Sequence, residues 1–183
     1  MSVKIKLAEK AKDIEKALHD YLVIREPRKL YEAMAHIPLA GGKRLRPVMA
    51  QLTCEMVGGE SKKAIPFAAS LEIIHNFTLV HDDVMDDDDL RHGVAACHTV
   101  FGLPTAILAG DSLFAYAFEM IAESNVEDKI KSELVRHTAY TVRRIAEGQQ
   151  MDINFEEEET VDPKLYLEMI RLKTSILFGS AAY

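Results

Sequence analysis

The chain has 183 residues, 48% hydrophobic and 28% charged, with a net charge of −7. These proportions suit a globular protein with a sizeable core, and the negative balance argues against a nonspecific nucleic-acid binder. Two cysteines, Cys54 and Cys97, lie too far apart for a metal knuckle or a disulfide framework, and they fit a reduced intracellular setting.

Helix is the dominant period. From Val3 to Leu22 apolar residues recur every three or four positions, and the charges threaded through MSVKIKLAEK exclude a signal peptide. Pro27 opens a short helix through Tyr31 to Ala35, and Pro38 lies in the connection after it. Leu45 to Val57 reads as the next helix, with Pro47 in its first turn and Gly58-Gly59 as its stop. Ser61 is placed to cap a long helix through Phe67, Leu71, Ile74, Phe77 and Val80, apolar nearly all round and therefore central. Two more helices follow, from Pro104 to Ala122 and from about Val126 to Met151. Asn154 to Asp162 reads as a solvated linker, and Pro163 opens a last helix still running at Tyr183. The expectation is an all-α fold, one helical domain over residues 1–183. Stopping inside an apolar pattern, the chain reads as the N-terminal part of something longer. The best apolar windows are interrupted by Pro104, Asp111 and Glu119, or carry Glu72, His75 and Asn76. No transmembrane segment is expected, and a cytoplasmic protein is.

Two motifs carry chemistry. HDDVMDDDDLRHG, from His81 to Gly93, sets six aspartates into the positions Asp82 to Asp89 behind the central helix. Asp82 and Asp86 are four apart and share a helical face, with Asp83 beside them. Like charges at that spacing, at the negative end of a helix dipole, call for a cation. Clustered hard oxygens suit magnesium, manganese or calcium rather than zinc. GGKRLRP, from Gly41 to Pro47, brings Lys43, Arg44 and Arg46 to a helix N-terminus, where the backbone also favours an anion such as phosphate. His75, two helical turns before Asp82, shares the aspartates' face. A basic clamp and an acidic metal cluster together equip a protein for two diphosphates, one held directly and one through metal ions.

At this point the sequence closely resembles the trans-isoprenyl diphosphate synthases, or polyprenyl synthetases. The matching runs, in order, are GGKRLRP, EIIHNFTLVHDDVMDDDDLRHG from Glu72, GDSLFAYAFEMI from Gly110, GQQMD from Gly148 and KTSILF from Lys173. The resemblance implies an antiparallel helical bundle of the isoprenoid synthase type. It implies that Lys43, Arg46 and His75 hold the diphosphate of isopentenyl diphosphate, and that Asp82 and Asp86 bind magnesium with Asp83 in support. Arg91, Lys173 and Thr174 are implied to contact the allylic diphosphate, and Gln149 of GQQMD joins the substrate-binding residues. The position after Arg91 is usually a second arginine; here it is His92, only partly charged at neutral pH. A second aspartate-rich motif and a later lysine that the family carries are missing from this chain, so half of a metal site is expected to come from elsewhere.

The implied reaction is a magnesium-dependent head-to-tail condensation of isopentenyl diphosphate with an allylic diphosphate. No nucleophile–base pair is needed, and apolar helices must keep water from the allylic cation. Phe77, with Thr78 beside it, sits below the aspartates, about 7.5 Å along the helix axis from Asp82. An aromatic at that place resembles short-chain synthases making geranylgeranyl (or farnesyl) diphosphate. The expected state is a homodimer, or a pairing with a C-terminal chain. A non-catalytic partner subunit is the competing reading, favoured by His92 and the missing motif. An isolated calcium module lacks the glycine-centred spacing of an EF-hand.

Overall fold

Helical periodicity becomes helix along nearly the whole chain in the computed structural model, which describes residues 2–183. α1 spans Val3–Tyr21, α2 Arg28–His36, α3 Leu45–Met56 and α4 Ile65–Met85. A hairpin of β1 (Leu90–Arg91) and β2 (Val94–Ala95) leads to α5 (Cys97–Phe101), α6 (Leu103–Ala122) and α7 (Asp128–Phe155). α8 (Pro163–Ile170) then passes through a π turn at Arg171–Ser175 into α9 (Ile176–Ala181).

α4 is the central element, as its apolar surface requires. Ala68, Ala69, Leu71, Ile73, Ile74 and Val80 are fully buried, and no other pair of helices packs as extensively as α4 and α6. α6 meets it with small residues, Ala106, Ala109, Gly110 and Ala117, which let the two backbones approach closely. Truncating a buried branched residue such as Ile74 to alanine would cost about 2–5 kcal/mol, because packed neighbours collapse only partly into the gap. By length and composition α6 is the one helix among the described residues apolar enough to cross a membrane. Here part of that apolar surface is spent against α4.

Several boundaries differ from the sequence reading for identifiable reasons. Ser61 does not cap α4; Ser61–Ala64 form a separate 3-10 turn and the α-helix begins at Ile65. Pro66, lacking an N–H, fits only in a first turn, and that fixes the start. α7 continues to Phe155, through the first residues assigned to the linker. The last helix is broken by the π turn, which periodicity does not reveal.

The hairpin was not anticipated, because two residues per strand leave no alternating pattern to read. Its register pairs Leu90 with Ala95 and Arg91 with Val94, so His92-Gly93 forms the whole turn. Both have positive φ, 52° and 81°, the signature of a type I′ turn. Glycine accepts this conformation freely; at His92 it is held against the ordinary preference of an L side chain.

Candidate active site

The acidic motif falls at the end of α4. Asp82 lies in the last turn and Asp86 is the C-cap, its N–H bonded to the Asp82 carbonyl at 2.8 Å. Burial pushes the Asp82 carboxyl up to about 6; Lys173 counteracts this, and Asp86 adds to it. Asp83 does not join this pair. Its carboxylate is completely buried, and its Oδ1 accepts from Arg91 Nε at 2.6 Å and from Arg91 Nη2. Arg91 Nη2 also reaches Asp88 at 3.3 Å. Asp83 therefore ties the hairpin to α4, while Asp82 and Asp86 remain as the free carboxylates.

Below Asp82 lies a mainly apolar cavity of about 210 Å³ between α4 and α7. Phe77, Thr78 and His81 line one side and Val142, Ile145 and Gln149 the other. Gln149 is buried with its Oε1 unpartnered. A polar atom so placed at the head of an apolar space is suited to meet a ligand group.

Lys173 reaches this region from the π turn. Its Nζ donates to Asp152 at 2.5 Å. Burial works against its charge, but the bond to Asp152 and the fields of Asp82 and Asp86 raise its pKa. The turn can lie on α7 because Gly148 faces it: a Cβ there would sit 2.4 Å from the Lys173 backbone nitrogen. GQQMD thus has a physical meaning, with Gly148 admitting the turn and Asp152, one helical turn on, fixing the lysine. Thr174, in the same turn, is exposed.

The second motif forms a separate basic pocket on the neighbouring side of α4. Lys43, Arg46, His75 and His92 surround a space of about 520 Å³, with Glu72 and Phe178 in its wall. Arg44 is the exception to the sequence reading. It turns inward, almost wholly buried, and donates to Glu15 and Glu72 at 2.7 Å each and to the Pro38 carbonyl at 2.6 Å. Arg44 sits in the left-handed conformation, φ 51°, immediately before α3. It is therefore a buried tie between α1, α4 and the loop carrying Lys43.

Arg46 lies over the Phe178 ring at 4.4 Å, with Nε buried and unpartnered. Burial lowers its pKa, against the pull of Glu72. Burial also pushes His75 down to about 3, helped by Arg46, His92, Arg44 and Arg91. The carboxylate in the wall, Glu72, is already bonded to Arg44. The pocket therefore concentrates donors and positive potential, which suits an anion with several oxygens.

Eight of the sequence-chosen residues line two neighbouring spaces beside α4 rather than one, and Thr174 lines neither. Lys43, Arg46, His75 and His92 define the basic pocket; Phe77, Thr78, Asp82 and Gln149 define the apolar cavity, with Lys173 acting on Asp82. Sequence reasoning missed Asp152, whose signal was its i,i+4 spacing from Gly148. It also missed the inward turn of Arg44, for which no sequence signal stood out.

This arrangement sets two charged sites of opposite sign and an apolar cavity along one helix. Residues 27–183 match the Polyprenyl synthetase family, and the chain belongs to it. A geranylgeranyl pyrophosphate synthase of Geoglobus acetivorans is 46% identical over 96% of this chain and 55% of its own length. A geranylfarnesyl diphosphate synthase of Natronomonas pharaonis is 38% identical over 96% of this chain and 56% of its own. The crystal structure of a geranylgeranyl pyrophosphate synthetase from Pyrococcus horikoshii superposes with a TM-score of 0.93 at 42% identity, covering 97% of this chain and 54% of that one. The fold is thus all-α, of the isoprenoid synthase type, and the chain spans about half the length of these relatives.

Proposed function

We propose that residues 1–183 are the N-terminal helical domain of a prenyltransferase. It joins isopentenyl diphosphate head to tail to an allylic diphosphate, giving geranylgeranyl or farnesyl diphosphate. The observation that carries this reading is the apolar cavity running down α4 from Asp82, beside a pocket rich in cationic groups. A prenyl tail fits the first and a diphosphate the second.

Lys43, Arg46, His75 and His92 bind the diphosphate of isopentenyl diphosphate and orient its double bond. Arg91, Lys173 and Thr174 face the allylic diphosphate, and Gln149 lies along its tail. Asp82 and Asp86 suit magnesium: they are hard oxygens, one helical turn apart, and burial raises the pKa of Asp82, with Asp86 adding to it against Lys173. Among the described residues no group of three ligating side chains forms a cage. That donor set suits an ion shared with substrate phosphates. When bound, magnesium supplies positive charge against which the diphosphate leaves.

The allylic carbon–oxygen bond breaks, the π electrons of isopentenyl diphosphate form the new carbon–carbon bond, and the proton lost passes to the released diphosphate. The apolar wall of Val142, Ile145 and Phe77 keeps water from the cation. Asp83 acts by holding Arg91, and Asp152 by holding Lys173. The remaining metal ligands come from a C-terminal partner segment or chain. Assembly as a homodimer and a cytoplasmic location complete the proposal. The two-carboxylate donor set also favours a second reading, a non-catalytic subunit of such an enzyme.

Calorimetry separates the two sites. Isopentenyl diphosphate binding should fall at least tenfold in Lys43→Ala/Arg46→Ala, since each charge-assisted contact is worth about 1.5–3 kcal/mol. Asp82→Ala/Asp86→Ala should leave it intact and abolish magnesium-dependent binding of an allylic diphosphate analogue. Unchanged binding of both ligands in both variants would refute the proposal. Turnover by the chain alone would exclude the subunit reading.

A further inference from the structure

The His81 imidazole lies directly on Gly110 of α6. A Cβ at Gly110 would fall 2.1 Å from Nε2 and 2.3 Å from Cδ2, so the ring occupies the place of a side chain. Its Nε2 lies 3.2 Å from the Ile107 carbonyl. A carbonyl only accepts, so the proton is on Nε2 and the ring is anchored to α6. The Asp111 carboxylate lies 3.8 Å from the same nitrogen, and a further neighbour is Phe77, one turn earlier on α4. The two rings meet edge to face, centroids 5.1 Å apart and planes at 76°. Phe77 is backed in turn by Phe114 of α6 at 5.4 Å. Both Phe77 and His81 line the cavity below Asp82.

We propose that His81 and Gly110 are positioning residues for tail length: the imidazole, seated in the glycine niche, holds the Phe77 ring across the cavity as its end wall. This rests on the prenyltransferase reading. An end wall made by a single phenylalanine would be soft, because an unsupported ring can turn about its side-chain bonds. Between His81 and Phe114 it is fixed from two directions. Gly110 is required because any larger residue expels the imidazole and removes one support.

The test titrates the full chain, with magnesium, against saturated alkyl diphosphates of increasing tail length. In the parent protein affinity should rise about fourfold per added methylene until the tail meets Phe77, then stop rising. His81→Ala removes one support without a clash and should move that break to longer tails. Gly110→Ala should shift the break as well. His81→Ala/Gly110→Ala should match His81→Ala, since the added methyl then meets no ring. A break at the parental length in His81→Ala and in the double variant would overturn the inference while leaving the enzyme reading intact. If the parent binds none of these diphosphates, the enzyme reading falls and the inference with it.

Discussion

At the acidic end of α4, Asp82 and Asp86 crowd negative charge at a helix C-terminus, and the cation nearest in effect, Lys173, is bonded to Asp152. Two turns earlier, beside His75, the basic pocket crowds positive charge instead, and its one carboxylate is taken by Arg44. Both regions carry uncompensated charge, but they are braced differently. The acidic pair rides on the last turn of a well-buried helix. The basic pocket is assembled from a loop, α3, α4 and a hairpin tip, and it depends on two ion pairs, the buried Arg44 with Glu72 and the partly exposed Arg91 with buried Asp83, to bring those pieces together. A site for charge on a helix end comes with the helix; one gathered from several segments needs its own internal fastening.

The largest expected effect tests that fastening. Arg44→Met removes three hydrogen bonds and leaves Glu72 buried without its partner. Breaking such a pair costs about 3–5 kcal/mol, far more than the intact pair contributes over an apolar replacement. Urea denaturation should show that loss, and isopentenyl diphosphate affinity should fall with it, although Arg44, in the pocket wall, directs its donors to Glu15, Glu72 and the Pro38 carbonyl. A variant of parental stability would mean that the basic pocket is braced no differently from the acidic end.

The comparison also bears on what could be read from residues alone. Periodicity located the helices of the bundle, because each buries a continuous face. The acidic pair was legible because its geometry follows from one helix, and the basic residues because they cluster in GGKRLRP. Which basic residue faces the ligand was not legible. Arg44 and Arg46 differ only in backbone conformation, and a left-handed residue at the start of α3 leaves no compositional mark. Asp83 likewise reads only as a support to the acidic pair until the hairpin brings Arg91 back onto it. The π turn holding Lys173 and the division into two spaces depend on contacts between distant segments, beyond the reach of a local pattern.

A second prediction separates the two regions by their response to acid, in protein free of metal and phosphate. Asp82 has a folded pKa near 6, above its ordinary 3.8, so the folded state favours its protonated form. Its burden on stability is present above about pH 6 and is relieved as pH falls toward 4. His75 has a folded pKa near 3, below its ordinary 6.5, so the unfolded chain takes up the proton first. Its contribution therefore erodes stability as pH falls below about 6.5. Asp82→Asn should raise the urea midpoint at neutral pH and lose its advantage near pH 4. His75→Asn should show the reverse, with its benefit appearing only in acid. Identical pH profiles for the two variants would erase the electrostatic contrast.

The smallest effect concerns His92, the only member of the basic pocket held on a two-residue turn. At φ 52° it occupies a conformation that asparagine adopts more readily, and Asn-Gly is a favoured pair for a type I′ turn. His92→Asn should therefore leave stability unchanged or raise it by a few tenths of a kcal/mol, while removing the imidazole from the pocket. Isopentenyl diphosphate should bind severalfold more weakly, on the order of one neutral hydrogen bond, about 1 kcal/mol. His92→Arg should strengthen the anion site with a permanent charge while leaving the strained turn, and with it stability, as in the parent. Paired melting curves and calorimetry on the two variants measure both quantities at once. If asparagine weakens neither stability nor binding, the hairpin tip is a structural turn, and the pocket's ligand-facing set reduces to the cations Lys43 and Arg46 with the neutral His75.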